Sequence, residues 1–313
     1  MNYLDFYGLQ REPFSNTPDQ RFFWNGRYHQ VALTKLSFAL HQRRGLMLVT
    51  GEIGAGKTTL ARQFFETLDD GLFHKALLVV IHSEITADWL LHRFAHLLGV
   101  AQPKHNKLEL LGQIYERLRI IDEEGRIVAL LIDEAQMLGT RELMEEFRGL
   151  LNIEARERKL INFVFFGLPE VEENLRLDEP LRQRVALRIH LQRYDAQDTQ
   201  DYIAHRINIA GGKPTLIPPE TAQCIHHHSL GSPRLINALG DNLLLEGFLA
   251  RTRALTPEMA DQAAADLNLK PPEADPLAEV LGRRAGRTPS RDGETWQDVD
   301  LDKLLDFLED EPR

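Results

Sequence analysis

The chain has 313 residues, of which 43% are hydrophobic and 27% charged, with a formal net charge of −10 and one cysteine. That balance belongs to a globular protein with room for two modest domains; it excludes an internal disulfide and gives no general affinity for nucleic acid, so any DNA contact needs a local basic patch. The lone Cys224 suits a reducing compartment, Asp5 and Glu12 interrupt any apolar leader, and the longest apolar runs, ALLVVI and IVALLI, are too short to span a bilayer, so the expected location is cytoplasmic.

In chain order, the aromatic-rich segment YLDFYGLQREPFSNTPDQRFFW is broken by Pro13 and Pro18 and reads as an extended packing arm. Val31, Leu33, Leu36, Phe38 and Leu40 predict a helix over residues 28–42. The strand GLMLVT at 45–50 feeds a glycine loop, and a helix begins near Lys57. Strand ALLVVI at 76–81 precedes helices over 86–98 and 107–123. Strand IVALLI at 127–132, a helix over 141–156, strand NFVFFG at 162–167 and strand ALRIHL at 186–191 complete the series. Continuous apolar strands alternating with helices imply an α/β fold, a parallel sheet sandwiched by helices.

After residue 194 the strand patterns stop. Helical patterns cover 198–210, 219–228, 233–251 and 257–267, with Pro219 and Pro257 where a helix start tolerates proline. PPEADP and the basic, aperiodic GRRAGRTPSRDGE read as a flexible linker. The final WQDVDLDKLLDFLEDEPR reads as an acidic amphipathic tail. The expected division is an arm and helix at 1–44, an α/β unit at 45–194, a small all-helical unit at 195–268, a linker at 269–295 and a tail at 296–313.

The loop GEIGAGKT matches the phosphate-loop pattern in full, with a strand before it and a helix after. Gly51, Gly54 and Gly56 let the backbone wrap a phosphate, and the amides across Glu52, Ile53, Ala55 and Thr59 point inward at a helix N-terminus. Lys57 is expected on the β and γ phosphates, and the Thr58 hydroxyl on Mg²⁺. In IVALLIDEAQ, Asp133 is the second expected Mg²⁺ residue and Glu134 the general base for the attacking water. The adjacent acids, and the lack of an N-K-x-D guanine motif, favour ATP over GTP.

A transferring phosphoryl group also needs positive charge. In LDEPLRQRVALRIHL, Arg182 and Arg184 are both candidates to supply it to a neighbouring subunit's site, with Arg184 preferred. In LGSPRLINALG, Arg234 falls in the first turn of a helix, where the dipole disfavours a cation unless it answers a phosphate. The aromatics Phe22, Phe23 and Trp24 read as packing, Cys224 as a core residue, and the run His226–His228 as unsuited to a shared metal.

These elements together resemble an AAA+ ATPase. The stretches YGLQREPFSNTPDQRFFW, RRGLMLVTGEIGAGKTTL, LLIDEAQML, MEEFRGLLNIEARERKLINFVFFGLPEV, LRQRV and GSPRLINALGDNLLLEG are similar to the ExeA/GspA family of general secretion pathway protein A ATPases and its MshM-type relatives, over about residues 3–268. The resemblance implies an AAA+ core with a helical lid and an oligomeric ring, hexamer-like, with sites between subunits. It implies the roles above for Lys57, Thr58, Asp133 and Glu134, with Arg184 as the finger and Arg234 as the sensor-2 arginine. It also implies that Pro13, Phe14, Pro18 and residues 28–32 pack near the adenine.

Two departures stand out. Leu168 replaces a polar residue at the expected sensor-1 position, and no transmembrane or peptidoglycan-binding part is legible. The expected function is ATP-driven assembly of a secretion or pilus machine. A protein partner would dock on the tail, and contact with the membrane would be indirect, through a partner at its inner face. The alternatives are a DNA-binding regulator of the TniB/TnsC transposition type, and a module that binds nucleotide only as a scaffold.

Overall fold

The computed structural model describes residues 2–17, 19–155 and 158–269. The linker and tail expected beyond residue 269, together with Pro18 and Arg156, lie outside the described residues.

Five parallel strands form the main sheet: β1 (Leu46–Gly51), β2 (Phe73–Val79), β3 (Ile127–Asp133), β6 (Ile161–Gly167) and β7 (Val185–Leu191), in the order β2-β3-β6-β1-β7. The short strands β4 (Glu154–Ala155) and β5 (Arg158–Lys159) pair separately as an antiparallel hairpin. The three central strands of the main sheet bury every residue, which is why they read as unbroken apolar runs. The edge strands β2 and β7 mix buried and exposed positions.

Helices cover both faces. On one side α2 (Arg27–His41) and α3 (Lys57–Thr67) pack through Leu36, Leu40, Leu60 and Phe64 against Met47, Val49, Leu131 and Val164. On the other, α4 (Ala87–Leu97), α5 (Lys107–Glu123) and α6 (Arg141–Leu150) bury Phe94, Ile114 and Phe147 against Leu48, Leu130, Phe163 and Phe165. Period-2 alternation in the strands sends odd and even residues to opposite helical layers. Asn162 is fully buried and ties three strand regions together, accepting from the Gly45 amide and donating to the Val128 carbonyl, each at 3.0 Å.

The expected α/β fold with a following helical lid is what the structure has. The lid contains α9 (Ala196–Ile209), α10 (Pro219–Ser229), α11 (Pro233–Leu249) and α12 (Pro257–Asp266). Three local readings differ. Helix α6 stops at Leu150 instead of continuing to 156; Lys159 donates at 2.8 Å to the Leu151 carbonyl, closing the helix end with a side chain from the hairpin. Two short helices, α7 (Glu170–Leu175) and α8 (Glu179–Arg182), were not legible, being too brief to show a period.

The N-terminal arm is the third difference. It is partly helical, with α1 (Tyr3–Tyr7) closed by an Asn2 capping box. Tyr7, Leu9, Phe14 and Phe22 join the lid's core, not the sheet's. The Tyr7 hydroxyl donates at 3.0 Å to the Leu244 carbonyl. The arm and α2, contiguous in sequence, therefore belong to different layers of the fold.

Candidate nucleotide site

The loop between β1 and α3 is built around two left-handed glycines, Gly54 at φ +77° and Gly56 at φ +93°. A side chain at either position would be strained, and at Gly54 it would also collide with the lid: its Cβ would lie 2.6 Å from Ser232 Oγ and 3.0 Å from Arg234 Cβ. Helix α3 starts at Gly56 without a side-chain cap, so its first-turn amides are left for another acceptor. By contrast Thr86, Asn106, Thr140 and Asp195 cap α4, α5, α6 and α9. Of the remaining loop residues, Gly51 and Ala55 are buried, and Glu52, Ile53 and Thr59 are exposed.

Lys57 is buried, and its ammonium donates to the carbonyls of Gly51 at 2.8 Å and Glu52 at 2.9 Å. Burial lowers its pKa from the ordinary lysine value, and the charges of Glu134 and Asp133 partly offset this. Asp133, at the end of β3, is 1% exposed. Burial raises its pKa, opposed by hydrogen bonds from the Thr58 hydroxyl and from the Glu134 amide at 3.0 Å. Thr58 and Asp133 thus already meet, as a hydroxyl and a carboxylate flanking one cation position must. An uncapped helix start, a buried ammonium resting on its own loop, and a paired hydroxyl and carboxylate fit a triphosphate and Mg²⁺.

Glu134 follows β3 in the left-handed region, at φ 57°, a costly conformation for a residue with a Cβ. Its carboxylate accepts from the Gln136 amide. Gln136 in turn accepts at 3.1 Å from the amide of Leu168.

The lid reaches the loop through the N-terminus of α11. The Ser232 hydroxyl and the Arg234 amide both donate to the Gly54 carbonyl at 3.5 Å, and the Arg234 side chain stands exposed beside the loop. Gly231 is what lets the lid come so close. A Cβ there would lie 1.9 Å from the Tyr194 carbonyl oxygen, and its φ is +72°.

Arg182 and Arg184 are elsewhere. They precede β7, at the N-terminal end of the sheet; Val185 pairs with Leu46, a strand length of about 16 Å from the loop at Gly51. Arg182 makes a two-pronged bond with Glu179, at 2.6 Å to each oxygen. Arg184 donates to Asn152 and, at 3.4 Å, to the Arg148 carbonyl. The structure brings Lys57, Thr58, Asp133, Glu134 and Arg234 together within one chain and leaves both candidate fingers outside that group.

The arm does not present Phe14 to the loop: it is 1% exposed and packs against Gly240 of α11. Near the loop stands His29, 2% exposed, with Gly56 beside its Nε2 and the rings of Phe23 and Tyr194 around it. Burial holds its pKa down at about 4. A cleft of about 670 Å³ opens beside the loop, lined by Thr17, Asp19, Arg21, Phe23, Thr59 and Arg62 among others. His29 lies within residues 28–32, which the resemblance put beside the adenine; the motif reading missed Ser232 and Gln136. Only Gln136 carried a signal, as the fourth letter of the DEAQ run.

In the lid, Cys224, His228 and Asp261 converge within 4.8 Å. The thiol donates at 3.1 Å and His228 Nε2 lies 2.7 Å from the same Asp261 oxygen. His228 Nδ1 is buried without a partner, so the proton belongs on Nε2. A metal at Nε2 would force that proton onto the orphaned nitrogen, so the group reads as a hydrogen-bonded link between α10 and α12.

A family model described as an AAA domain matches residues 40–175. The general secretion pathway protein A of Aeromonas hydrophila is 32% identical over 249 residues, which is 79% of this chain and 45% of that protein. The chain carries an AAA domain. It spans less than half the length of the curated relative it matches, so the similarity is to one part of that protein.

Solved structures agree on the fold. The Cdc6p of Pyrobaculum aerophilum superposes with a TM-score of 0.61 at 19% identity, covering 86% of this chain and 73% of that one. The Aeropyrum pernix ORC2 protein gives 0.59 at 16% identity, covering 80% and 72%. The Thermotoga maritima RuvB motor gives 0.54 at 18% identity, covering 91% and 82%. Among the described residues, no helix is long and apolar enough to cross a membrane.

Proposed function

We propose that this AAA+ ATPase binds Mg²⁺ and ATP at the Gly51–Thr59 loop and hydrolyses ATP at sites completed by a neighbouring subunit. In this reading Lys57 leaves its loop carbonyls for the β and γ phosphates. Thr58 and Asp133 hold Mg²⁺, which supplies charge neutralisation at the phosphate oxygens. Glu134 takes the proton of the attacking water, and Arg234 answers the γ phosphate from the lid. The observation that carries the reading is the buried Lys57 ammonium within the field of Asp133 and Glu134, with the Thr58 hydroxyl on Asp133.

Inter-subunit catalysis is supported by the placement of the remaining cations. A γ-phosphoryl group in flight needs more positive charge than Lys57 supplies, and Arg184 and Arg182 lie a strand length from their own loop. A neighbour's loop is the site either could serve, with Arg184 preferred, in a ring or filament of copies.

The 32% identity to general secretion pathway protein A supports a role in assembling or remodelling a secretion or pilus complex, from the cytoplasm and through a protein partner. The acidic tail is the segment we assign to that partner.

Two measurements test this. Glu134→Gln is expected to bind ATP and lose about 100-fold in turnover; unchanged turnover would move the base elsewhere. ATPase rate is then followed against protein concentration and against duplex DNA in a salt series. A steep rise with concentration and indifference to DNA are expected. Strong stimulation by DNA that fades with salt would instead support a regulator acting on nucleic acid.

A further inference from the structure

Gln136 joins two elements that hydrolysis requires in register. It sits two residues after Glu134, in the short turn Ala135–Met137 that follows β3. Its side-chain nitrogen donates to Glu134 Oε2. Its side-chain oxygen accepts the amide of Leu168, at the end of β6, at 3.1 Å. Its own backbone carbonyl is fixed by Asn174 Nδ2 at 2.8 Å, so the residue is anchored from α7 as well.

The amide can face only one way. The Leu168 N–H is a donor and must meet the oxygen; the Glu134 carboxylate is an acceptor and must meet the NH₂. Reversing the group would set two donors and two acceptors against each other. The surroundings are also shaped to admit it. A Cβ on Gly167 would lie 2.8 Å from Gln136 Oε1 and 3.2 Å from its backbone nitrogen, so no side chain fits at 167 while Gln136 holds this position.

Glu134 needs such a partner. Its backbone is held in the left-handed region by its amide on Asp133, which fixes where the side chain starts but not where the carboxylate points. At 168, where the sequence has leucine, no side-chain donor or acceptor is available to the base.

We propose that Gln136 is the positioning residue for Glu134, aiming the base and tying its direction to the end of β6. The inference rests on reading Glu134 as the general base. A planar amide transmits displacement: when the 167–168 backbone shifts, Oε1 moves with it and the hydrogen bond on Glu134 turns. The loop that binds the phosphates takes no part in this link. Loss of Gln136 is therefore felt in turnover and not in nucleotide affinity.

The test compares Glu134→Gln, Gln136→Met and Gln136→Glu by steady-state ATP hydrolysis, equilibrium ATP binding and thermal melting. Methionine keeps the length without the polar ends. Glutamate keeps an acceptor for Leu168 but turns a second carboxylate toward Glu134. Both Gln136 variants are expected to lower kcat about 10- to 100-fold, with KM and ATP affinity within about twofold of wild type. Full turnover in either Gln136 variant, beside an inactive Glu134→Gln, overturns the proposal alone. A fall in kcat matched by an equal fall in ATP affinity and in melting temperature also overturns it, because that pattern marks a merely structural residue. Full turnover in Glu134→Gln removes the general-base reading and this proposal with it.

Discussion

At the heart of the sheet, Phe163 and Phe165 meet Phe147 edge to face among aliphatic neighbours, at ring distances of 5.0 and 4.9 Å. At the heart of the lid, the corresponding space is held by a charge. Arg206 is 6% exposed, lies over the Phe22 ring at 4.8 Å, and donates to the Tyr202 hydroxyl and to the carbonyls of Pro13 and Ser15. Tyr202 then donates to Asn237, which donates to Asn16.

The difference lies in what must be fixed. An apolar layer holds helices against the paired strands mainly through buried area, which has no direction. The lid must hold a polypeptide arm about 190 residues away in sequence, and directional bonds to that arm's carbonyls specify its path. Arm and lid are thus one body, joined by buried polar bonds. Its link to the phosphate loop is looser: two donors at 3.5 Å on the single Gly54 carbonyl. That contrast suits a lid that tightens on a nucleotide.

The contrast can be broken at either end. Phe165→Ala should have the largest effect, about 4 kcal/mol from transfer and cavity terms together. Chemical denaturation should show loss of the α/β core, with nucleotide binding lost at the same midpoint. Arg206→Met should cost about 3 kcal/mol, by stranding buried carbonyls that a charged donor had satisfied. Hydrogen exchange should quicken in the arm and α9 first, while the sheet amides keep their protection. Equal quickening in the sheet would mean that arm and lid are not a separate body.

His29 sharpens the comparison at the seam. Its folded pKa, about 4, lies below the ordinary value of 6.5 because burial disfavours the cation. Between those values the unfolded chain binds the proton and the folded one does not. The histidine's stabilising neutrality is therefore complete above about pH 6.5 and is lost as pH falls from there toward 4, amounting to about 2 kcal/mol at pH 5. His29→Leu should flatten the decline in urea midpoint between pH 7 and pH 5; an unchanged slope would assign the decline to other groups.

The smallest effect is expected at Cys224. Burial and Asp261 push its thiol up to about 12. Alkylation at pH 8 should therefore run well below the rate of a free cysteine, and Cys224→Ser should shift stability by less than about 1 kcal/mol, since a hydroxyl can also donate to Asp261. Rapid modification would show that the α10–α12 link opens in solution.

Much of the site was legible because its chemistry is local. Lys57 and Thr58 are adjacent in one loop, and Asp133 and Glu134 are adjacent at one strand end, so each pair shows as a short motif. The central strands were legible for a similar reason, since burial on both faces forces continuous apolar runs. The edge strand β2 shows its apolar pattern only three residues after its start, because the half-buried polar residues His74 and Lys75 interrupt it. The course of the arm was not legible at all: an aromatic, proline-broken segment shows no period, and its partners, Arg206, Leu244 and Gly240, are far away in sequence.

The sequence by itself determined the α/β alternation, the phosphate loop, the acidic strand end and the helical lid, since each is written in neighbouring residues. Only the tertiary structure decided that Arg234 stands over Gly54 while Arg182 and Arg184 do not, that Phe14 belongs to the lid, and that Gln136 spans from Glu134 to Leu168. Those are relations between segments brought together by packing, and no one-dimensional spacing encodes the distance between them.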